Sequence, residues 1–107
     1  MINLDEIQQL HKLWEKRNFG NQPAYRAILG IMEEAGELAH AFLKMEQGIR
    51  INENHEENIV DAVGDIVMYI ISFCNKMNIS LESTIYEVWY EIRQRNWKEY
   101  REDGKTK

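Results

Sequence analysis

Two short acidic clusters hold the residues best able to do chemistry. The first is Glu33-Glu34-Ala35-Gly36-Glu37 and the second is Asp61-Ala62-Val63-Gly64-Asp65. Side chains three or four positions apart share one face of a helix. The spacing therefore aligns Glu34 with Glu37, Glu33 with Glu37, and Asp61 with Asp65. Like charges at that distance repel, and both clusters sit among apolar neighbours; Ile66 and Val67 follow Asp65 directly. Buried unpaired carboxylates are unfavourable, so a positive group is expected beside them. Lys44 is the one basic residue close behind the first cluster. Oxygen ligands without Cys or a His pair select Mg²⁺ or Mn²⁺ over Zn²⁺ or copper. Mg²⁺ held by carboxylates, with positions left to water, is the usual partner of phosphate chemistry. The competing reading of the same residues is a solvated acidic helix face.

Each cluster also carries a glycine just before its last acid. Gly36 and Gly64 each disfavour a helix by about 1 kcal/mol relative to Ala. The expected compensation is close approach, of helix to helix or of ligand to backbone.

The elements that must position these acids are helices. Asn3 and Glu6 form a capping box for a helix from Leu4 to Arg17, with Leu4, Ile7, Leu10, Leu13 and Trp14 on one face. A connection with Gly20 and Asn21 leads to Pro23, which can open a second helix from Ala24 to Met45. Its apolar positions include Ile28, Ile31, Met32, Ala35, Leu38, Ala39 and Phe42. Asn54 and Glu57 cap a third helix from His55 to Met77. Ser80 caps a fourth, Leu81 to Trp97, with Ile85, Val88, Trp89 and Ile92 inward. The expectation is an all-α, four-helix bundle-like domain over residues 1–100, with a frayed basic tail from Arg101 to Lys107.

Composition narrows the class of function. The 107 residues form one domain with a core so small that a second copy is expected to complete it, as a dimer or tetramer. A net charge of −5 argues against binding a nucleic acid polymer. It does not argue against nucleotides, because a metal can mediate between carboxylates and phosphates. The apolar stretch Ile66 to Cys74 is too short to span a membrane. The lone cysteine, Cys74, and the lack of a signal-like start indicate a cytoplasmic protein.

At its acidic clusters the chain resembles the MazG-like family of nucleoside triphosphate pyrophosphohydrolases. That family has an EExxE stretch on one helix and an ExxD stretch on the next. Glu33-Glu34-Ala35-Gly36-Glu37-Leu38 fits the first, and Gly64-Asp65-Ile66-Val67-Met68-Tyr69 fits the end of the second. Arg17-Asn18-Phe19 and Arg95-Asn96-Trp97-Lys98 extend the likeness over most of the chain. One position departs: the Glu expected three residues before Asp65 is Ala62. Asp61, one residue earlier and on the same helix face, is the substitute; without it the site has one ligand fewer or recruits Glu57.

The resemblance implies hydrolysis between the α- and β-phosphates of a nucleoside triphosphate, giving a monophosphate and pyrophosphate. It implies that Glu34, Glu37 and Asp65, with Asp61, ligate Mg²⁺ and that Glu33 is the general base. It puts aromatic residues of the first helix and its following loop against the base. By position these are Phe19 and then Trp14, with Tyr69 one turn beyond Asp65. Arg95 and Lys98 would reach phosphates. Each of these has a plainer alternative, namely core packing for the aromatics and a solvated basic helix end for Arg95 and Lys98.

Two other functions fit parts of the pattern. Glu37-Leu38-Ala39-His40 is an ExxH pair of the di-iron bundle type, but neither His11 nor His55 has a Glu three residues before it. A helical interaction module with acids facing a basic partner would need no metal.

Overall fold

Side-chain caps set where the helices begin. In the computed structural model, which describes residues 1–106, the Asn3 side chain accepts from Glu6 N–H, Asn54 from Glu57 N–H, and Ser80 from Ser83 N–H. The helices that follow are α1 (Leu4–Phe19), α2 (Ala24–Gln47), α3 (His55–Met77) and α4 (Leu81–Ile92). There is no strand among the described residues. Gly20 and Gly48 close α1 and α2 at positive φ, 71° and 69°, where a side chain would be strained.

The α2–α3 hairpin is the backbone of the fold. On α2 the buried residues are Ala27, Gly30, Glu34 and Ala41, a stripe of mostly small side chains at helical spacing. Small residues let the antiparallel α3 approach closely. A Cβ on Gly30 would lie 2.6 Å from Cζ of Tyr69. Of the two kinds of close approach expected at Gly36 and Gly64, that of helix to helix does not occur: both face open space. The correction follows from the stripe: α2 turns Gly30, and not Gly36, toward α3.

Helix α1 runs antiparallel along the C-terminal half of α3. Gln8 Nε2 donates to Ile79 O at 2.7 Å, Leu81 N donates to Gln8 Oε1 at 3.0 Å, and Asn75 Nδ2 donates to Gln8 O at 3.1 Å. Gln8 is buried with both ends of its amide satisfied, as a buried polar group must be. It fastens α1 to the α3–α4 turn. Beside it lies the core of Ile71, Cys74 and Leu81, backed by Leu4, Ile7, Met68 and Ile70.

The large apolar side chains expected to form the core mostly do not. Leu10, Leu13, Ile28, Met32 and Phe42 are exposed, and so are Ile85, Val88, Trp89 and Ile92 on α4, which packs mainly against α1 and meets α3 through Leu81 at its first turn. The four helices therefore do not close into a bundle within one chain. The radius of gyration is 17.6 Å, against about 13 Å for a compact domain of this length.

Helix α4 ends at Ile92, not at Trp97. Asn96 starts a new turn: its Oδ1 accepts from Glu99 N–H, a local bond that competes with continued helix. Arg101 to Lys105, expected to fray, are drawn back by Asn96 N–H donating to Gly104 O and by Gly104 N–H donating to Tyr100 O, both 2.8 Å. Lys107 lies outside the described residues.

Candidate active site

Glu34 is the one acid in the small-residue seam between α2 and α3. It is buried, and its Oε2 has no hydrogen-bond partner. Burial pushes its carboxyl up; the charges of Glu37 and Asp65, a hydrogen bond shared with Glu37, and the charge of Glu33 push it further. Tyr69 reports the same cluster from α3. Burial raises its phenol, and Glu33, Glu34, Asp65 and Glu37 add to the rise. These groups thus stand close enough to feel one another across the hairpin, while Glu33 itself is exposed beside the seam.

Glu34, Glu37, Asp61 and Asp65 open onto two clefts that share Asp65, while Glu33 lines neither. One, of about 470 Å³, is walled by Trp14, Phe19, Met68 and Tyr69, with Glu34 and Asp65 among its lining. Trp14 and Phe19 meet edge to face with centroids 5.7 Å apart, a favourable aromatic geometry. The other, of about 370 Å³, is lined by Glu37, His40, Asn58, Asp61 and Asp65. Asp61, the substitute for the missing Glu, therefore faces the same space as Glu37 and Asp65. Ala62 is buried where α3 meets that cleft.

The fit to a divalent cation rests on donor chemistry. Every candidate ligand is a carboxylate, one carries an orphaned buried oxygen, and their mutual repulsion leaves a cation to be the missing partner. Mg²⁺ and Mn²⁺ match hard oxygen donors. The cage is not closed, however: among the described residues no three His, Cys, Asp or Glu side chains converge as a ready-made metal site. Glu34 lines one cleft and Glu37 the other, with Asp65 common to both.

The aromatic candidates Phe19, Trp14 and Tyr69 come together in one cleft. The basic candidates do not join it. Lys44 donates to Gln47 at 3.2 Å, at the C-terminal end of α2. It lies about 15 Å along the helix from Glu34 at 1.5 Å per residue. Arg95 sits over the Trp97 ring beside Gly104 and Lys105. Lys98 lies in the turn after it and lines neither acidic cleft. Both residues lie beyond the end of α4 at Ile92.

Residues not singled out by sequence also line the aromatic cleft: His11, Glu15, Arg26 and Ser72. The signal for three of them was present. His11 and Glu15 are four apart on the face of α1 that carries Trp14, and Ser72 is a polar residue inside the apolar run of α3. At the second cleft His40 lies 3.8 Å from Glu53, which also meets Arg50 at 3.7 Å and His55 at 4.0 Å across the α2–α3 loop.

Residues 22–98 match the family model of the MazG nucleotide pyrophosphohydrolase domain. No curated protein and no solved structure matches the chain significantly.

Proposed function

The chain belongs to the MazG nucleotide pyrophosphohydrolase family, and on that premise we propose that it hydrolyses nucleoside triphosphates to monophosphate and pyrophosphate in house-cleaning of the nucleotide pool. The observation that carries this reading is the aromatic cleft whose lining includes Glu34 and Asp65. A flat base fits between aromatic walls, and phosphates then reach the carboxylates.

Glu34, Glu37 and Asp65, with Asp61, would hold Mg²⁺, for which Mn²⁺ can substitute. When bound, the cation offsets charge on the phosphates and lowers the pKa of water beside it. Glu33, exposed next to the cluster, takes the proton from the attacking water. Water oxygen bonds to the α-phosphorus, the bond from that phosphorus to the bridging oxygen breaks, and pyrophosphate leaves. Trp14, Phe19 and Tyr69 hold the base. Lys44, Arg95 and Lys98 contact phosphate only if a neighbouring copy brings them near.

The working form is a homo-oligomer, a dimer or tetramer. The apolar faces of α1, α2 and α4 left open by one chain support this, since large contiguous apolar surface marks an interface. No helix among the described residues is long and apolar enough to cross a membrane, and the buried Cys74 thiol suits a reducing, cytoplasmic setting.

A panel of canonical and modified nucleoside triphosphates, incubated with Mg²⁺ and resolved by chromatography, tests the reading. The expected products are a monophosphate and pyrophosphate in equal amounts. Release of inorganic phosphate alone, or no turnover of any member, would overturn it.

A further inference from the structure

The end of the aromatic cleft farther from the acids is polar and built. Glu15 receives Ser72 Oγ on Oε1 and Lys76 Nζ on Oε2, both at 2.6 Å. Burial alone would raise the Glu15 carboxyl, but the hydrogen bonds from Lys76 and Ser72 and the Lys76 charge outweigh it and hold the group below its ordinary value. Glu15 is therefore an anion at neutral pH. A carboxylate oxygen has two acceptor positions; each oxygen here uses one and keeps one. Glu15 and Ser72 line the cleft, and so does His11, whose buried Nδ1 has no hydrogen-bond partner.

The distance along α3 suits a nucleoside. Asp65 and Ser72 are seven residues apart, about 10 Å at 1.5 Å per residue. A nucleotide with its phosphates at Asp65 and its ring between Trp14, Phe19 and Tyr69 would present its base edge to Glu15.

We propose that Glu15 selects the base by accepting a hydrogen bond from its exocyclic amino group, so that the cleft favours an amino-bearing base over the matching oxo base. This rests on the nucleotide reading above. An oxo base would turn a carbonyl oxygen toward an anion at the position where the amino group donates, an unfavourable contact. Glu15, Ser72 and Lys76 thus form one device: two donors fix the carboxylate, and its remaining lone pairs read the base.

The test uses matched pairs, dCTP with dUTP and ATP with ITP. Binding of the corresponding monophosphates is measured by calorimetry in parallel. Amino-bearing members should exceed their oxo partners by about tenfold to a hundredfold in kcat/KM, the worth of one hydrogen bond to a charged group. The same order should hold in Kd. Glu15→Gln, whose amide can donate to a carbonyl, should bring the ratio close to one, with circular dichroism confirming the fold. Equal use of both members by the wild type overturns the proposal, as does a folded Glu15→Gln that keeps the preference. The wild-type ratio decides alone if the variant does not fold. Selective binding without hydrolysis would leave Glu15 as the base reader and sink the pyrophosphohydrolase reading; no nucleotide binding at all would sink both.

Discussion

Gly30 of α2 and the ring of Tyr69 on α3 meet so closely that no side chain fits between them. This contact sets both the spacing of the helix hairpin and the position of the aromatic wall nearest the acids. Gly30→Ala should push the ring outward, at about 1–3 kcal/mol of stability, as overpacked cores do. Because Tyr69 lines the cleft, KM for nucleotide should rise more than kcat falls. Thermal melts and steady-state kinetics check it; a variant as stable and as active as wild type would contradict the contact.

Roles inside the acidic cluster should separate. Glu33 is about 100° around the helix from Glu34 and exposed, so it can flank the site instead of entering the seam. Glu33→Gln should lower turnover about 10²–10⁴-fold with metal and nucleotide binding retained. Asp65→Asn and Glu37→Gln should instead raise the Mg²⁺ concentration for half-maximal activity. A Glu33→Gln defect rescued by excess Mg²⁺ would remove Glu33 from the role of base.

Mg²⁺ should stabilise the protein against heat. A cation bound only by the folded state adds about 2.7 kcal/mol at a hundred times its Kd. The raised carboxyl of Glu34 gives the sign for the metal-free protein. A carboxyl with folded pKa above the unfolded one adds stability at low pH that is lost as pH rises through the folded value. Glu34→Gln should therefore raise the melting temperature of metal-free protein at neutral pH and abolish the Mg²⁺ increment. Scans with and without Mg²⁺ at several pH values test both halves.

Glu15 should show the opposite pH dependence. Its carboxyl is held below the ordinary 4.5, so its contribution is full above that value and lost as pH falls through the folded pKa. Wild type should be more stable than Glu15→Gln at neutral pH, and the gap should narrow as pH falls below the ordinary 4.5 and through the lowered folded pKa. A gap that does not narrow on acidification to the limit of the folded state would mean that packing, and not the Lys76 pair, accounts for it.

One chain should not persist alone. Burying the exposed Trp89, Ile85 and Ile92 of α4 requires another surface. Light scattering at micromolar concentration should give a mass at least twice 12.8 kDa. Trp89→Glu should lower the mass and the melting temperature together; a stable, folded monomer of the wild type would refute the oligomer.

The sequence by itself determined the helices and the acids. Capping residues Asn3, Asn54 and Ser80 act within one turn of chain, so their effect is readable without a fold. Carboxylates three or four apart share a helix face wherever the helix lies, and so Glu34 with Glu37 and Asp61 with Asp65 could be grouped in advance; that the two groups belong to one site came from the family resemblance. Three things were decided only in tertiary structure. Which face of α2 meets α3 depended on small residues, Ala27, Gly30 and Ala41, which carry almost no hydrophobic signal yet permit the closest approach. Many of the large apolar residues that periodicity marks as core stand exposed in one chain. Ser72 and Lys76 on α3 lie 57 and 61 positions from Glu15 on α1; only the antiparallel docking of those helices, fixed by Gln8, turns three ordinary polar residues into one part-buried hydrogen-bonded group.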